Sequence, residues 1–142
     1  MASKPRVLMI EDHPDIADLY RLKLQLEGYR VVVAADGVSG LAMARSLKPD
    51  VTLLDVHLPH LNGLEVLATL REDEATRDLL VVVFSEDDNP KLIEEAKRLS
   101  AAAYLLKANL LPSRLSDTVG DVLRNRGGLL VTGNGHNARQ AS

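Results

Sequence analysis

Polar side chains follow four apolar runs of the sequence, at the point where each run ends. Glu11 and Asp12 follow the first run, Asp55 the third, Ser85 the fourth and Lys107 the fifth. If the runs are parallel strands, these side chains meet at the edge of the sheet where open α/β proteins bind their ligands. Three carboxylates at one edge repel each other, so they raise a pKa or require a cation. This arrangement predicts a binding site built from acidic residues.

The residue types at this edge suit phosphoryl transfer. Magnesium is held by one or two carboxylates together with waters and phosphate oxygens. Lys107 adds a point charge suited to a phosphoryl oxygen, and Ser85 adds a neutral hydrogen-bond donor. The set could hold a carboxylate nucleophile, a metal ion and a phosphoryl group, whose transfer needs mainly positioning and charge neutralisation.

Each of these residues also has a purely structural explanation. Asp12 could cap a helix that starts near Pro14, and Ser85 could be a turn residue. A lysine at the end of a strand is usually solvated. The functional interpretation therefore depends on the residues acting as a set.

The apolar runs alternate with amphipathic segments, which determines the predicted fold class. The runs are residues 7–10, 31–34, 51–54, 79–84 and 103–106. Each is nearly continuous in apolar residues, as strands buried on both faces require, and each is followed by a helical pattern. Prolines at positions 14, 90 and 112 suit the first turn of a helix. Five strand–helix units with right-handed crossovers predict an α/β fold with a doubly wound parallel sheet.

Composition and charge exclude several classes of protein. The 142 residues are 46% hydrophobic and 26% charged, which is typical of one soluble domain. Without cysteine there are no disulfides or thiolate metal sites, and a net charge of −3 gives no reason to expect nucleic acid as a partner. No signal peptide or membrane-spanning run is visible, so we expect a cytoplasmic protein. We expect an N-terminal extension at 1–5, one domain at 6–125 and a flexible glycine-rich tail at 126–142.

The sequence resembles the receiver domain of bacterial response regulators over residues 6–124. The resemblance rests on short motifs in the expected order: Glu11-Asp12, the segment 55–59 that begins at Asp55, Asn62-Gly63, Ser85, and Tyr104-Leu-Leu-Lys107. It implies a flavodoxin-like, chemotaxis-regulator-like sheet of order 2-1-3-4-5 with five helices. It also implies a role in a two-component phosphorelay.

The resemblance also implies a role for each site residue. Asp55 would accept phosphate, and Glu11, Asp12, Asp55 and the backbone carbonyl of His57 would hold Mg²⁺, with Mn²⁺ as an alternative. Lys107 and Ser85 would contact the phosphoryl group, and Ser85 and Tyr104 would act as a switch in which the tyrosine turns inward. The protein would assist its own phosphorylation and dephosphorylation without being an enzyme that acts on other substrates.

Partners follow from the same resemblance. The phosphate donor would be a histidine kinase or a histidine phosphotransfer protein. The downstream protein would bind the surface formed by the fourth helix, fifth strand and fifth helix, roughly residues 90–124. Nucleic acid and membrane are not expected as partners. Whether the chain dimerises, and whether it is a single-domain regulator or part of a longer protein, stays open.

Four residues depart from the usual pattern of the family. Glu11 replaces one of the more usual paired aspartates, which the family tolerates. Glu86 stands where a small residue is common, so we expect it to modulate access to Asp55 and to alter phosphorylation or dephosphorylation rates. Ala108 replaces a frequent proline, so the loop after Lys107 is expected to be trans, strained or shifted. Ser100 replaces a frequent glycine.

Two other functions compete with the phosphoacceptor interpretation. The first is a pseudo-receiver that uses the fold only for interaction, although such a protein would be expected to lose Asp55, Lys107 or the acidic pair. The second is a magnesium-dependent phosphatase, whose general acid would stand two residues after the nucleophile, where this chain has His57. His57 and His60 are too few for a zinc site, and we expect both to be solvated.

Overall fold

The computed structural model describes residues 4–125, and the tail predicted at 126–142 lies outside this range. Five strands alternate with five helices. The strands are β1 (Arg6–Ile10), β2 (Arg30–Ala34), β3 (Val51–Asp55), β4 (Val81–Ser85) and β5 (Ala103–Leu106), and the helices are α1 (Pro14–Leu26), α2 (Gly37–Leu47), α3 (Gly63–Glu72), α4 (Pro90–Arg98) and α5 (Pro112–Arg124). The predicted fourth strand began too early, because Leu79 and Leu80 precede β4.

The strands form one parallel sheet in the order β2-β1-β3-β4-β5, which confirms the predicted fold class and strand order. The register pairs Ile10 with Leu54, and Asp55 with Phe84. Because all strands point the same way, their carboxyl ends meet at one edge. Glu11, Asp55 and Lys107 lie at that edge, each at or directly after the end of its strand.

Two apolar layers cover the sheet, one on each face. The first contains buried residues of α1 and α5, such as Leu24 and Leu115, packed against Met9 and Phe84. The second contains buried residues of α2, α3 and α4. With both faces covered, the strands need apolar residues at every position, which explains their continuous runs.

Local sequence determines where the helices begin. Asn62 starts α3 with a reciprocal capping box, because its side chain accepts from the Glu65 amide at 3.0 Å and the Glu65 carboxylate accepts from the Asn62 amide at 3.2 Å. Asn89 caps α4.

The N-cap position of α1 is occupied by His13 and not by Asp12, and the His13 side chain makes no capping hydrogen bond. The structural explanation considered for Asp12 is therefore wrong.

The charged segment from residue 72 to 78, which connects α3 to β4, contains a buried residue. Thr76 is 2% exposed and donates to the Leu70 carbonyl at 2.8 Å. The Arg71 guanidinium donates to four backbone carbonyls. Two lie near the end of this segment and two lie in the turn after α4: those of Arg77, Leu79, Leu99 and Ser100. Arg71 thus joins the end of α3 to the turn after α4. Ser100 in that turn has φ of +61°, the left-handed conformation that explains why glycine would suit this position.

Candidate functional site

A buried lysine joins two buried carboxylates at the carboxyl edge of the sheet. The Lys107 Nζ atom is 2.6 Å from Glu11 Oε1 and 3.1 Å from Asp55 Oδ2. The Glu11 and Asp55 residues are 1% and 3% exposed. Lys107 Nζ also lies 4.9 Å from the centre of the Phe84 ring, close enough for a cation–π contact. The fold therefore brings together Glu11, Asp55 and Lys107, which are far apart in the sequence.

Burial and charge shift the pKa values of these three groups in different directions. Burial raises the pKa of Asp55 to about 6, Lys107 opposes the rise and Glu11 adds to it. Burial also acts to raise the pKa of Glu11, but hydrogen bonds from Lys107 and from the His13 amide bring it below its usual value. Burial acts to lower the pKa of Lys107, and the two carboxylates raise it above its usual value. Glu11 is thus the better-stabilised anion and Asp55 the poorer one.

The raised pKa of Asp55 predicts a pH-dependent cost to stability. Between pH 3.8 and about 6 the folded protein keeps a proton on Asp55 that the unfolded chain has lost. Stability from this group therefore falls as pH rises through that window and stays low above it. In the presence of a metal chelator, we expect Asp55→Asn to raise the free energy of unfolding by about 2–3 kcal/mol at pH 8.

The same substitution should have little effect at pH 4, where Asp55 of the folded wild type is protonated and therefore neutral like asparagine. Urea unfolding of both proteins from pH 4 to 8 measures the difference, and other titrating groups largely cancel between them. A constant difference at every pH would contradict the prediction.

The ligand atoms at this edge fit a hard divalent cation. One ligand atom each from Glu11, Asp12, His13 and Asp55 lies within 4.8 Å of all the others. The Asp12 Oδ1 atom is buried without a hydrogen bond. Lys107 contacts Glu11 Oε1 and Asp55 Oδ2, so the second oxygen of each carboxylate faces away from the lysine contact. A buried oxygen that makes no hydrogen bond, beside two other carboxylates, is a site where a cation would remove an energetic cost.

The backbone of His57 lies beside Asp55, but its side chain points elsewhere. The His57 amide is 3.3 Å from Asp55 Oδ1. The imidazole Nε2 atom is 3.0 Å from Asp87 Oδ2, in the loop between β4 and α4. The expectation of a purely solvated His57 side chain is thus incomplete, because the exposed ring joins two loops at the mouth of the site. The separate His60 is exposed, with φ of +69°.

Asp87 connects the two predicted switch residues. Its amide donates to Ser85 Oγ at 3.1 Å, and its carbonyl accepts from the Tyr104 hydroxyl at 2.7 Å. Ser85 is fully buried and Tyr104 is 6% exposed, so the tyrosine already points inward. Burial raises the pKa of Tyr104, and a hydrogen bond with Ser85 partly opposes the rise. Tyr104 is therefore a buried residue of β5 whose hydroxyl is bound by the loop before α4.

The loop after Lys107 is trans at Ala108, since residues 4–125 contain no cis peptide bond. The Leu110 amide donates to the Lys107 carbonyl at 3.0 Å, which closes a tight turn. Asn109 in this turn has φ of +63°, a conformation that asparagine adopts more readily than most residues. The turn thus holds the lysine without a proline.

Sequence reasoning missed His13 and Asp87 as parts of the site. His13 directly follows the acidic pair, so its position was a usable signal. Asp87 lies in the acidic run 86–88, which indicates only the start of a helix, and its contacts depend on the path of the loop between β4 and α4. That path is a tertiary feature that no short motif specifies.

Residues 7–119 match the family model of the response regulator receiver domain. The chain belongs to this family. Protein PilH of Pseudomonas aeruginosa is 36% identical over 72% of this chain and 84% of its own length. The DNA-binding dual master transcriptional regulator RpaA of Synechocystis is 43% identical over 57% of this chain and 34% of its own, so the match spans about a third of that protein. The structure of chemotaxis response regulator CheY4 of Vibrio cholerae superposes with a TM-score of 0.78 at 28% identity, covering 84% of this chain and 99% of that one.

Membership of the receiver-domain family confirms the resemblance found in the sequence and assigns the chain to two-component signalling. Receivers generally bind Mg²⁺ through an acidic pocket, and Glu11, Asp12 and Asp55 form an acidic group of this kind here. No helix within residues 4–125 is long and apolar enough to cross a membrane.

Proposed function

We propose that this receiver accepts a phosphoryl group on Asp55 from a phosphohistidine of a histidine kinase or phosphotransfer protein. The supporting observation is the placement of Asp55: its buried carboxylate contacts Lys107 and adjoins an acidic group in which one buried oxygen makes no hydrogen bond. With a pKa of about 6, Asp55 is mostly ionised at pH 7.5 and can act as a nucleophile.

In the proposed step, a carboxylate oxygen of Asp55 forms a bond to phosphorus as the phosphorus–nitrogen bond of the donor breaks. The electron pair of that bond stays on the donor imidazole. Glu11, Asp12, Asp55 and the His57 carbonyl would hold Mg²⁺, or Mn²⁺ in its place, which would neutralise charge on the phosphoryl oxygens. Lys107 would exchange its contact with Asp55 for one with a phosphoryl oxygen, and Ser85 would donate to another.

The output surface is proposed to be α4, β5 and α5, because the switch residues connect the site to that side. Tyr104 lies on β5, and Asp87 leads into the start of α4. A change at Ser85 would reach this surface through the two hydrogen bonds that Asp87 makes. The downstream partner would be a protein that binds there, or a second copy of the receiver.

Intact-mass analysis tests the phosphoacceptor role. Incubating the protein with MgCl₂ and acetyl phosphate should add one phosphoryl group, with acetate as the leaving group. We expect no adduct with Asp55→Asn or when a chelator replaces MgCl₂. Thermal melting of the variant shows that it is folded. If a histidine kinase and acetyl phosphate both fail to produce an adduct, the chain is a pseudo-receiver. Continuous release of phosphate from phosphomonoesters would instead indicate the phosphatase.

Glu86 is proposed to modulate access to Asp55. It lines a surface cleft of about 460 Å³ together with Ile16, Leu19, Tyr20, Lys107 and Ala108. A negative charge here repels an anionic donor, so we expect Glu86→Ala to increase the rate of phosphorylation by acetyl phosphate about threefold at low salt. Rates at rising NaCl should converge for the two proteins, because salt screens the repulsion. Equal rates at low salt would refute the role.

A further inference from the structure

We propose that His13 supplies an imidazole ligand to the metal site, so that this receiver binds transition-metal ions in preference to Mg²⁺. The inference builds on the metal site of the proposed function. It concerns which ion that site selects.

The His13 ring faces the acidic group. Its Nδ1 atom is 3.2 Å from Glu11 Oε2 and 3.3 Å from Asp12 Oδ1. These atoms belong to a set that also includes Asp55, with every pair of ligand atoms within 4.8 Å. A metal ion with ligand bonds of about 2.0–2.2 Å can therefore be reached by all four side chains after small movements.

Lys107 does not block the ligand atoms that would bind the ion. The lysine contacts Glu11 Oε1, whereas His13 contacts the other oxygen, Oε2. The His13 amide also donates to Oε2 at 3.1 Å, which fixes the backbone close to the carboxylate. A cation could thus bind Oε2 and Nδ1 on one side of Glu11 while Lys107 stays on the other.

The contacts described for the His13 ring within residues 4–125 are those with the acidic group itself, Glu11 and Asp12. His13 is the residue before α1, yet its side chain makes no capping hydrogen bond. The side chain is 61% exposed, so its movement onto an ion would sacrifice little packing. The Asp12 Oδ1 atom on the same side makes no hydrogen bond, and its contact there is the ion pair with the His13 ring.

The chemistry of the ligand set determines the preferred ion. Mg²⁺ prefers oxygen ligands and retains several waters, so an imidazole adds little to its affinity. Ions such as Co²⁺ and Zn²⁺ bind imidazole well, and their affinity for mixed nitrogen and oxygen sites exceeds that of Mn²⁺ or Fe²⁺. Three carboxylates with one imidazole should therefore favour the later transition metals.

Metal binding to the full chain tests the inference without a phosphate donor. Isothermal titration with CoCl₂ and with MgCl₂ should give a Kd for Co²⁺ that rises at least about tenfold in His13→Ala, while the Kd for Mg²⁺ changes less than about twofold. His60→Asn is the matched control, because it removes another exposed imidazole and asparagine tolerates the positive φ at that position. We expect it to leave both constants unchanged.

Proton NMR of the Co²⁺-loaded protein distinguishes a ligand from a neighbour. Coordination through Nδ1 leaves an exchangeable proton on Nε2, which should give a strongly shifted resonance in the wild type and in His60→Asn but not in His13→Ala. If His13→Ala leaves the ratio of the Co²⁺ and Mg²⁺ Kd values unchanged, or if the wild type lacks this resonance, the inference is overturned. The proposed function is not affected by either result. Failure of wild-type protein to bind either ion, or to form the phosphoryl adduct with MgCl₂, would instead count against the proposed function.

Discussion

Lys107→Met should lower the free energy of unfolding by about 3 kcal/mol at pH 8 in the presence of a chelator, because it leaves buried carboxylates without their cation. Methionine keeps much of the apolar stem over Phe84 and removes the charge together with the hydrogen bond to Glu11. Lys107 holds the pKa of Asp55 down, so in this variant that pKa should rise above about 6. The loss should therefore shrink as pH falls and Asp55 takes up a proton.

The double variant Lys107→Met/Asp55→Asn is the matched control. It removes one of the two carboxylates that Lys107 contacts, so it should recover a large part of the lost stability at pH 8. Urea unfolding of the wild type, both single variants and the double variant gives the coupling energy between the two residues. Additive effects would show that the contact between Lys107 and Asp55 carries no net energy.

Gly63→Ala should be the most damaging single-methyl change near the site. A Cβ atom at this position would lie 2.0 Å from the Asp55 carbonyl oxygen and 2.8 Å from Val56 Cα. Both are backbone atoms, so side-chain rotation cannot relieve the overlap. The Gly63 amide also donates to the Val56 carbonyl at 2.7 Å, which holds the start of α3 against the end of β3. We expect the free energy of unfolding to fall by at least about 3 kcal/mol.

Gly120→Ala provides the comparison, since it makes the same chemical change within α5. The nearest atom to the added Cβ would be Arg124 Nη1 at 3.3 Å, the far end of a flexible side chain. Alanine favours the helix over glycine, so this variant should be more stable by about 0.5–1 kcal/mol. Urea unfolding measures both. If Gly63→Ala is as stable as the wild type, the close approach of α3 to Asp55 is wrong.

The sheet and the residues that lie at the site were predictable, because both depend on short-range sequence features. Buried parallel strands need continuous apolar runs, and the residue after each run must lie at the carboxyl edge. Asp55 and Lys107 were found in this way. The roles assigned to them remain predictions, to be tested by the phosphorylation experiment.

Features that depend on the detailed path of loops could not be predicted. The contact of Lys107 with Glu11 depends on the turn through Asn109, and the four carbonyls bound by Arg71 come from two separate turns. Thr76 is polar and lies in a charged segment, yet it is buried and its hydroxyl donates to the Leu70 carbonyl. In each case tertiary contacts override a local pattern that indicates a solvated side chain.

The inward position of Tyr104 determines which probes can report on the state of this receiver. The ring is buried and its hydroxyl donates to the Asp87 carbonyl at 2.7 Å, so the ring already occupies the inward position. A fluorinated tyrosine at this position would therefore report on the hydrogen bond with Asp87 and not on an inward rotation of the ring. Lys107 is the better reporter, since its ammonium group would have to leave Asp55. A nitrogen-15 label on that side chain would follow the event directly.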